Sequence, residues 1–151
     1  IERRMSYVED GELDAIILAY AGLVRGGYGD RATEVFSPEV FMPAPAQGAL
    51  AVECRSDDAV AREAIDKLID AAATAESTAE RAVLARLEAG CTAPVAASAV
   101  FDSSGVTLRA GVFALDGSRQ LVEEAQGADS AELGRKVAEV LLERGAADLM
   151  E

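Results

Sequence analysis

The 151-residue sequence has no histidine, no tryptophan, two cysteines, four prolines and only 5% aromatic residues. Each scarcity excludes something. Without imidazole there is no histidine general base, no Cys–His couple and no ordinary zinc site. Cys54 and Cys91 permit one disulfide at most, and with no export signal a reduced, cytoplasmic setting is the expectation. No apolar run approaches the ~20 residues needed to span a bilayer. The residues after Ile1 form neither a secretory nor an Arg-rich transit segment, so the chain reads as soluble, and its start without Met reads as a fragment. Lysine is also scarce, with Lys67 and Lys136 set against twelve arginines. That imbalance fits a salt-loving or high-GC source, or arginines placed to clamp carboxylates with their planar forks.

Acid is abundant: 27 Asp and Glu against 14 Lys and Arg give a formal charge of −13. A field of this sign opposes nucleic acid, anionic membranes and polyanionic partners. Half the residues are apolar, enough for a packed core, since a compact domain of this size buries roughly 68–70% of the surface its unfolded chain exposes.

The pattern changes along the chain. Residues 1–13 are polar and end at an Asp10-Gly11 turn, after which Asp14–Ala19 is a continuous apolar run of the buried parallel-strand kind. Four glycines between Ala21 and Val35 allow only short helices. Pro38, Pro43 and Pro45 mark a linker or hinge, and Gly48–Glu53 reads as a second buried strand. Asp57 is placed to cap a helix with apolar positions from Val60 to Ile69, and a further helix is expected from about Glu76 to Glu88, ended by Gly90. Val106, Leu108, Ala110, Val112 and Ala114 then alternate with Thr107, Arg109, Gly111 and Phe113, so residues 94–126 predict a three-stranded antiparallel meander. Ser130 is expected to cap a last helix. Residues 71–151 can thus close a helix–meander–helix core. Residues 1–70 cannot, and their strands require partners from sequence upstream.

Cys91 lies between a helix end and a strand start. There the helix dipole is negative and Glu88 adds to it, which suits a bond made once rather than a fast free thiolate. A plain core thiol is the competing reading. Around it, Glu80-Arg81-x-Val83-x-x-x-Leu87-x-Ala89-Gly90-Cys91-x-Ala93-Pro94-Val95-Ala96 resembles the cofactor-attachment signature of the hydroxymethylbilane synthase (porphobilinogen deaminase) family. Asp14–Arg25 and Pro43–Arg55 are similar to further blocks of that family, in its order and spacing.

The resemblance implies a transferase of tetrapyrrole (haem) biosynthesis that joins four porphobilinogen molecules into hydroxymethylbilane with release of ammonia. Its dipyrromethane cofactor, bound through a thioether, would sit on Cys91, which matches the family's cysteine. Arg4 and Arg25 match positions that bind pyrrole carboxylates, at ~1.5–3 kcal/mol per charge-assisted contact. A solvated Arg3–Arg4 pair and a helix-capping Arg25 are the plain alternatives. Gln47 matches a residue lining the family's cleft, with a simple linker amide as the alternative. Leu18, Ala19 and Gly22 would fall at a strand's carboxyl end, where ligands meet α/β sheets, and Gly22 would let backbone approach the cofactor. Cys54 is read as core.

By the same resemblance the family's key Asp belongs to its N-terminal part, so no catalytic residue is expected in this chain and the fragment alone is expected to be inactive; without histidine no metal site is expected either. The expected architecture is α/β plus α+β. Residues 1–43 would end a second α/β domain, 44–70 would cross back to a first, and 71–151 would form a third domain carrying Cys91. The first two would resemble the lobes of periplasmic binding proteins, which leaves a two-lobed small-molecule binding or regulatory module as the alternative function. The full-length protein is expected to be monomeric. The family usually has Gly at positions 46 and 89 and a β-branched residue at 93, where this chain has alanine. Ala89 would be strained if that backbone requires a positive φ.

Overall fold

A β-meander closed by two helices dominates the computed structural model, which describes residues 1–90 and 92–150. The chain divides into two compact units, Ile1–Val40 and Phe41–Glu151. In the second, α3 (Ala59–Asp66) and α4 (Ala71–Arg86) precede β1 (Val95–Asp102), β2 (Gly105–Phe113) and β3 (Gln120–Gly127), and α5 (Ser130–Glu143) follows them. The strands lie in the order β1-β2-β3, both pairings antiparallel, with Leu108 opposite Ala99 on one side and Ala125 on the other.

The two-residue period forecast for β2 is obeyed. Val106, Leu108, Ala110 and Val112 are fully buried and share one core with Ala79 and Val83 of α4 and Leu133, Val137 and Leu141 of α5. Each large side chain so buried contributes roughly 1.5–3 kcal/mol of transfer free energy. Phe113, on the opposite face, lies over Gly111, where a Cβ would come within 2.9 Å of its ring.

Helix limits differ from the forecast in instructive ways. The caps are Asp58, Asp70 and Asp129, whose carboxylates accept the N–H of Ala61, Ala73 and Glu132 at 2.9, 2.9 and 2.8 Å. Asp57 and Ser130 are therefore each one residue away from the capping position. The helix expected from Glu76 starts five residues earlier, because the alanine-rich stretch after Asp70 is itself a strong helix former.

Gly90 does not end that helix either. Ala89 N–H reaches Leu84 O at 3.0 Å and Glu88 N–H reaches Ala85 O at 3.3 Å, a paired Schellman closure in which Glu88 takes the left-handed turn at φ +52°. The same closure ends α5 with Gly145 in that role.

In the first unit, α1 (Glu2–Glu9) occupies a stretch expected to be merely polar, and α2 (Tyr20–Arg25) is the short helix anticipated there. The expected strands at Asp14–Ala19 and Gly48–Glu53 do not form. Both segments are irregular, and the second is exposed throughout. A parallel strand is stabilised only by neighbours on its edges, and among the described residues none pairs with either segment. Only Met5 and Leu23 are buried hydrophobics in the unit, whereas Leu13, Ile17, Val24, Val35 and Phe36 are exposed. The sheet is therefore the α+β meander, and no α/β lobe is formed among the described residues.

The closest helix crossing rests on Gly134 of α5, where an added Cβ would lie 2.2 Å from the Ala79 carbonyl oxygen and 2.6 Å from Ala82 Cβ. Alanine is ~1 kcal/mol better than glycine inside a helix, but overpacking a rigid contact costs ~1–3 kcal/mol or more. Gly134→Ala should therefore destabilise the protein by about 2 kcal/mol net, read as a lowered urea midpoint at unchanged m-value. A raised midpoint would refute the close approach.

Candidate functional site

The residues singled out from the sequence fall in both units. In the first, Ala19 is the N-cap of α2, its carbonyl accepting from Gly22 N–H at 3.0 Å and Leu23 N–H at 3.3 Å. Leu18 and Ala19 thus end an irregular segment and not a strand. Arg4, on α1, donates from Nη2 to the Ile17 carbonyl at 3.4 Å, which brings its guanidinium to the residue preceding Leu18 and Ala19. Gly22 faces Ile1, with 3.4 Å between its virtual Cβ and Ile1 Cδ1. Arg25 is the last residue of α2 and the basic residue of its last turn. Neither Arg4 nor Arg25 is paired with a carboxylate among the described residues, in contrast to Arg31, Arg86 and Arg144.

In the second unit, Gln47 is exposed and lines an open groove of about 280 Å³ together with Gly48, Glu76, Ser77 and Glu80. Its loop is tightly folded: Gln47 N–H bonds Ala44 O at 3.0 Å and Ala49 N–H bonds Ala46 O at 3.1 Å. Ala46 itself has φ +58°, so the strain anticipated at Ala89 falls at Ala46 and Glu88 instead. Cys91 lies outside the described residues. Cys54 is exposed, contrary to the expected core placement, because the strand that would bury it does not form.

One group escaped sequence reasoning as an individual. Glu80, the first residue of the attachment signature, is only 8% exposed. Its Oε1 accepts the N–H of Ala99 at 2.7 Å, and its Oε2 accepts the N–H of Ala46 at 2.6 Å. Burial pushes its carboxyl up from the usual range, the two N–H bonds pull it back, and Glu76 one turn away adds to the rise. Removing a carboxylate from water costs several kcal/mol, and two charge-assisted bonds at ~1.5–3 kcal/mol each offset most of that. The available signal was the Glu76–Glu80 pair, like charges at i and i+4 that weaken a helix unless something else engages them. Glu76 Oε1 accepts Phe101 N–H at 3.0 Å.

Among the described residues no group of His, Cys, Asp and Glu is arranged to hold a metal, and no helix is long and apolar enough to cross a membrane.

Comparison with known proteins supplies independent information. Residues 1–63 match the family model described as porphobilinogen deaminase, dipyromethane cofactor binding domain, and residues 74–143 match that of the porphobilinogen deaminase C-terminal domain. The chain is 59% identical to a porphobilinogen deaminase of Corynebacterium aurimucosum, over 99% of this chain and 51% of that protein. It is 57% identical to the Corynebacterium glutamicum protein of that name, over 99% and 51%, and 44% identical to the one from Deinococcus radiodurans, over 100% and 50%. The chain spans about half the length of the curated relatives it matches.

The strained Ala46 offers a direct check on the loop that carries Gln47. A left-handed alanine costs ~1–2 kcal/mol, while glycine loses an extra ~0.4–1 kcal/mol through its freer unfolded chain. Ala46→Gly should thus stabilise the protein by about 0.5–1 kcal/mol in urea titration. Destabilisation would contradict the described turn.

Proposed function

The chain belongs to the porphobilinogen deaminase family, and on that premise we propose that it is the C-terminal half of a transferase that polymerises four porphobilinogen molecules into hydroxymethylbilane with loss of ammonia. The observation that carries this reading is the coverage, two models of one family along 1–63 and 74–143, with Cys91 inside the second block.

Within that reading, Cys91 holds the dipyrromethane cofactor by a thioether. When bound, the cofactor supplies the primer on which pyrroles are added. The donor set of the chain fits such a group. Each pyrrole carries an acetate and a propionate, and Arg4 and Arg25 have guanidinium groups uncommitted to protein carboxylates among the described residues. In a protein of formal charge −13, fixed cations are what allow a polycarboxylate to settle at all. Arg4 would orient one carboxylate beside Leu18 and Ala19, Gly22 would admit backbone close to the ring, and Gln47 would present its amide along the cleft. A thiol used once, for attachment, needs no lowered pKa.

The remaining half of the protein would complete the fold and the chemistry. Residues 1–43 would finish a second α/β domain, 44–70 would return to the first, and 71–151 would be the third. Most exposed large apolar side chains precede residue 70, among them Ile17, Val35, Leu50, Val52 and Ile69. They are the surface that strands from the other half would cover, in two lobes of the periplasmic-binding type. The proton-handling carboxylate belongs to that half, so this chain alone would not turn over substrate.

Intact-mass measurement on the full-length protein tests the assignment. It should show an adduct of two pyrrole units that disappears in Cys91→Ser together with activity. An unmodified yet fully active protein would refute it. Arg25→Ala should weaken porphobilinogen binding about tenfold, the loss of one charge-assisted contact. Unchanged affinity would remove Arg25 from the site.

A further inference from the structure

β1 is an edge strand, and its pairing with β2 fixes which of its N–H groups face outward. The Phe113 N–H bonds Pro94 O at 2.9 Å, so alternation along the ladder turns the N–H groups of Val95, Ala97, Ala99 and Phe101 away from β2. All four are bonded. Val95 reaches Ala93 O at 2.8 Å and Ala97 reaches Pro43 O at 3.0 Å, while Ala99 and Phe101 are taken by Glu80 and Glu76 at 2.7 and 3.0 Å. The Pro-rich segment therefore lies along this edge, held at Pro43 by β1 and at Ala46 by the second oxygen of Glu80.

We propose that Glu80 is a positioning residue that sets the register of segment 43–49, and with it Gln47, on the outer edge of β1. The chemistry requires a carboxylate at this point. Two N–H donors arrive from two different segments, and one side chain must accept both. A glutamine offers a single acceptor oxygen and would turn its own NH₂ toward the other donor. An aspartate is one methylene too short to span both. The left-handed backbone of Ala46 belongs to the same device, since a strained φ persists where surrounding bonds over-determine it. Pro43 and Pro45 stop the segment from adding as a regular strand, so its placement depends on these two anchors. The functional consequence rests on the reading of Gln47 as a cleft residue.

Hydrogen exchange and steady-state kinetics on the full-length protein test this together. In Glu80→Gln, the amides of Ala44, of residues 46–49 and of Ala99 should exchange roughly tenfold faster, with Leu108 and Val112 unchanged. KM for porphobilinogen should rise about fivefold with kcat within about twofold, the mark of lost binding and intact chemistry. Glu63→Gln, on the exposed face of α3, serves as control and should alter neither. Unchanged exchange at 44–49 would overturn the proposal. So would acceleration spread evenly over the whole meander, which marks general loosening, or a fall in kcat with KM untouched. If Glu80→Gln does not fold, the unsubstituted protein decides: Ala46 N–H should exchange at least about tenfold more slowly than Gly48 N–H, and equal rates overturn the clamp. A full-length protein without the two-pyrrole adduct would refute the functional reading instead, and the exchange result would still settle the clamp.

Discussion

A carboxylate enclosed between two backbone amides is the constraint on which the placement of the Pro-rich segment against the sheet depends. α4 packs on the sheet through Ala79 and Val83, and the residue between those turns, Glu80, is carried by the same helix into the seam beside β1. Its charge is tolerable there only because Ala46 and Ala99 both point N–H groups at it. One side chain thereby joins three segments distant in sequence: the Pro-rich segment, the helix and the edge strand. Burial still leaves the carboxyl harder to ionise than in water, so the arrangement is a compromise and not a source of large net stability.

Around this seam the architecture follows from ordinary packing. The meander presents a face of Val, Leu and Ala side chains, and two helices cover it, brought together by the missing Cβ of Gly134. Aspartate caps start α3, α4 and α5. Left-handed closures end α4 and α5, one with a glutamate and one with a glycine. Such closures satisfy terminal carbonyls whichever residue occupies the turn, at the expense of some strain where a Cβ is present.

How much was legible in the sequence depends on how local each determinant is. The alternation of Val106, Leu108, Ala110 and Val112, and the Asp102–Gly105 and Asp116–Ser118 turns, announced the meander because a strand with one buried face writes its period into neighbouring residues. The Asp14–Ala19 and Gly48–Glu53 runs carry an equally clear apolar signal, yet their structure depends on partner edges that no described residue supplies. Capping was displaced by one residue wherever two candidates adjoined, at Asp57 and Asp58 or Asp129 and Ser130, since composition does not say which φ turns first. The family's motifs marked Cys91, Arg4, Arg25 and Gln47 by identity alone. Glu80 stood inside the same motif without a role, because its role is to reach amides 19 residues ahead and 34 behind.

The outer rim of β3 is guarded as well: Arg144 donates to the Val122 carbonyl at 2.8 Å while pairing with Glu123 at 3.0 Å. With acids along one border of the sheet and a guanidinium on the other, neither side offers a clean template on which another copy could stack. Fibril growth by strand stacking is thereby hindered at this sheet.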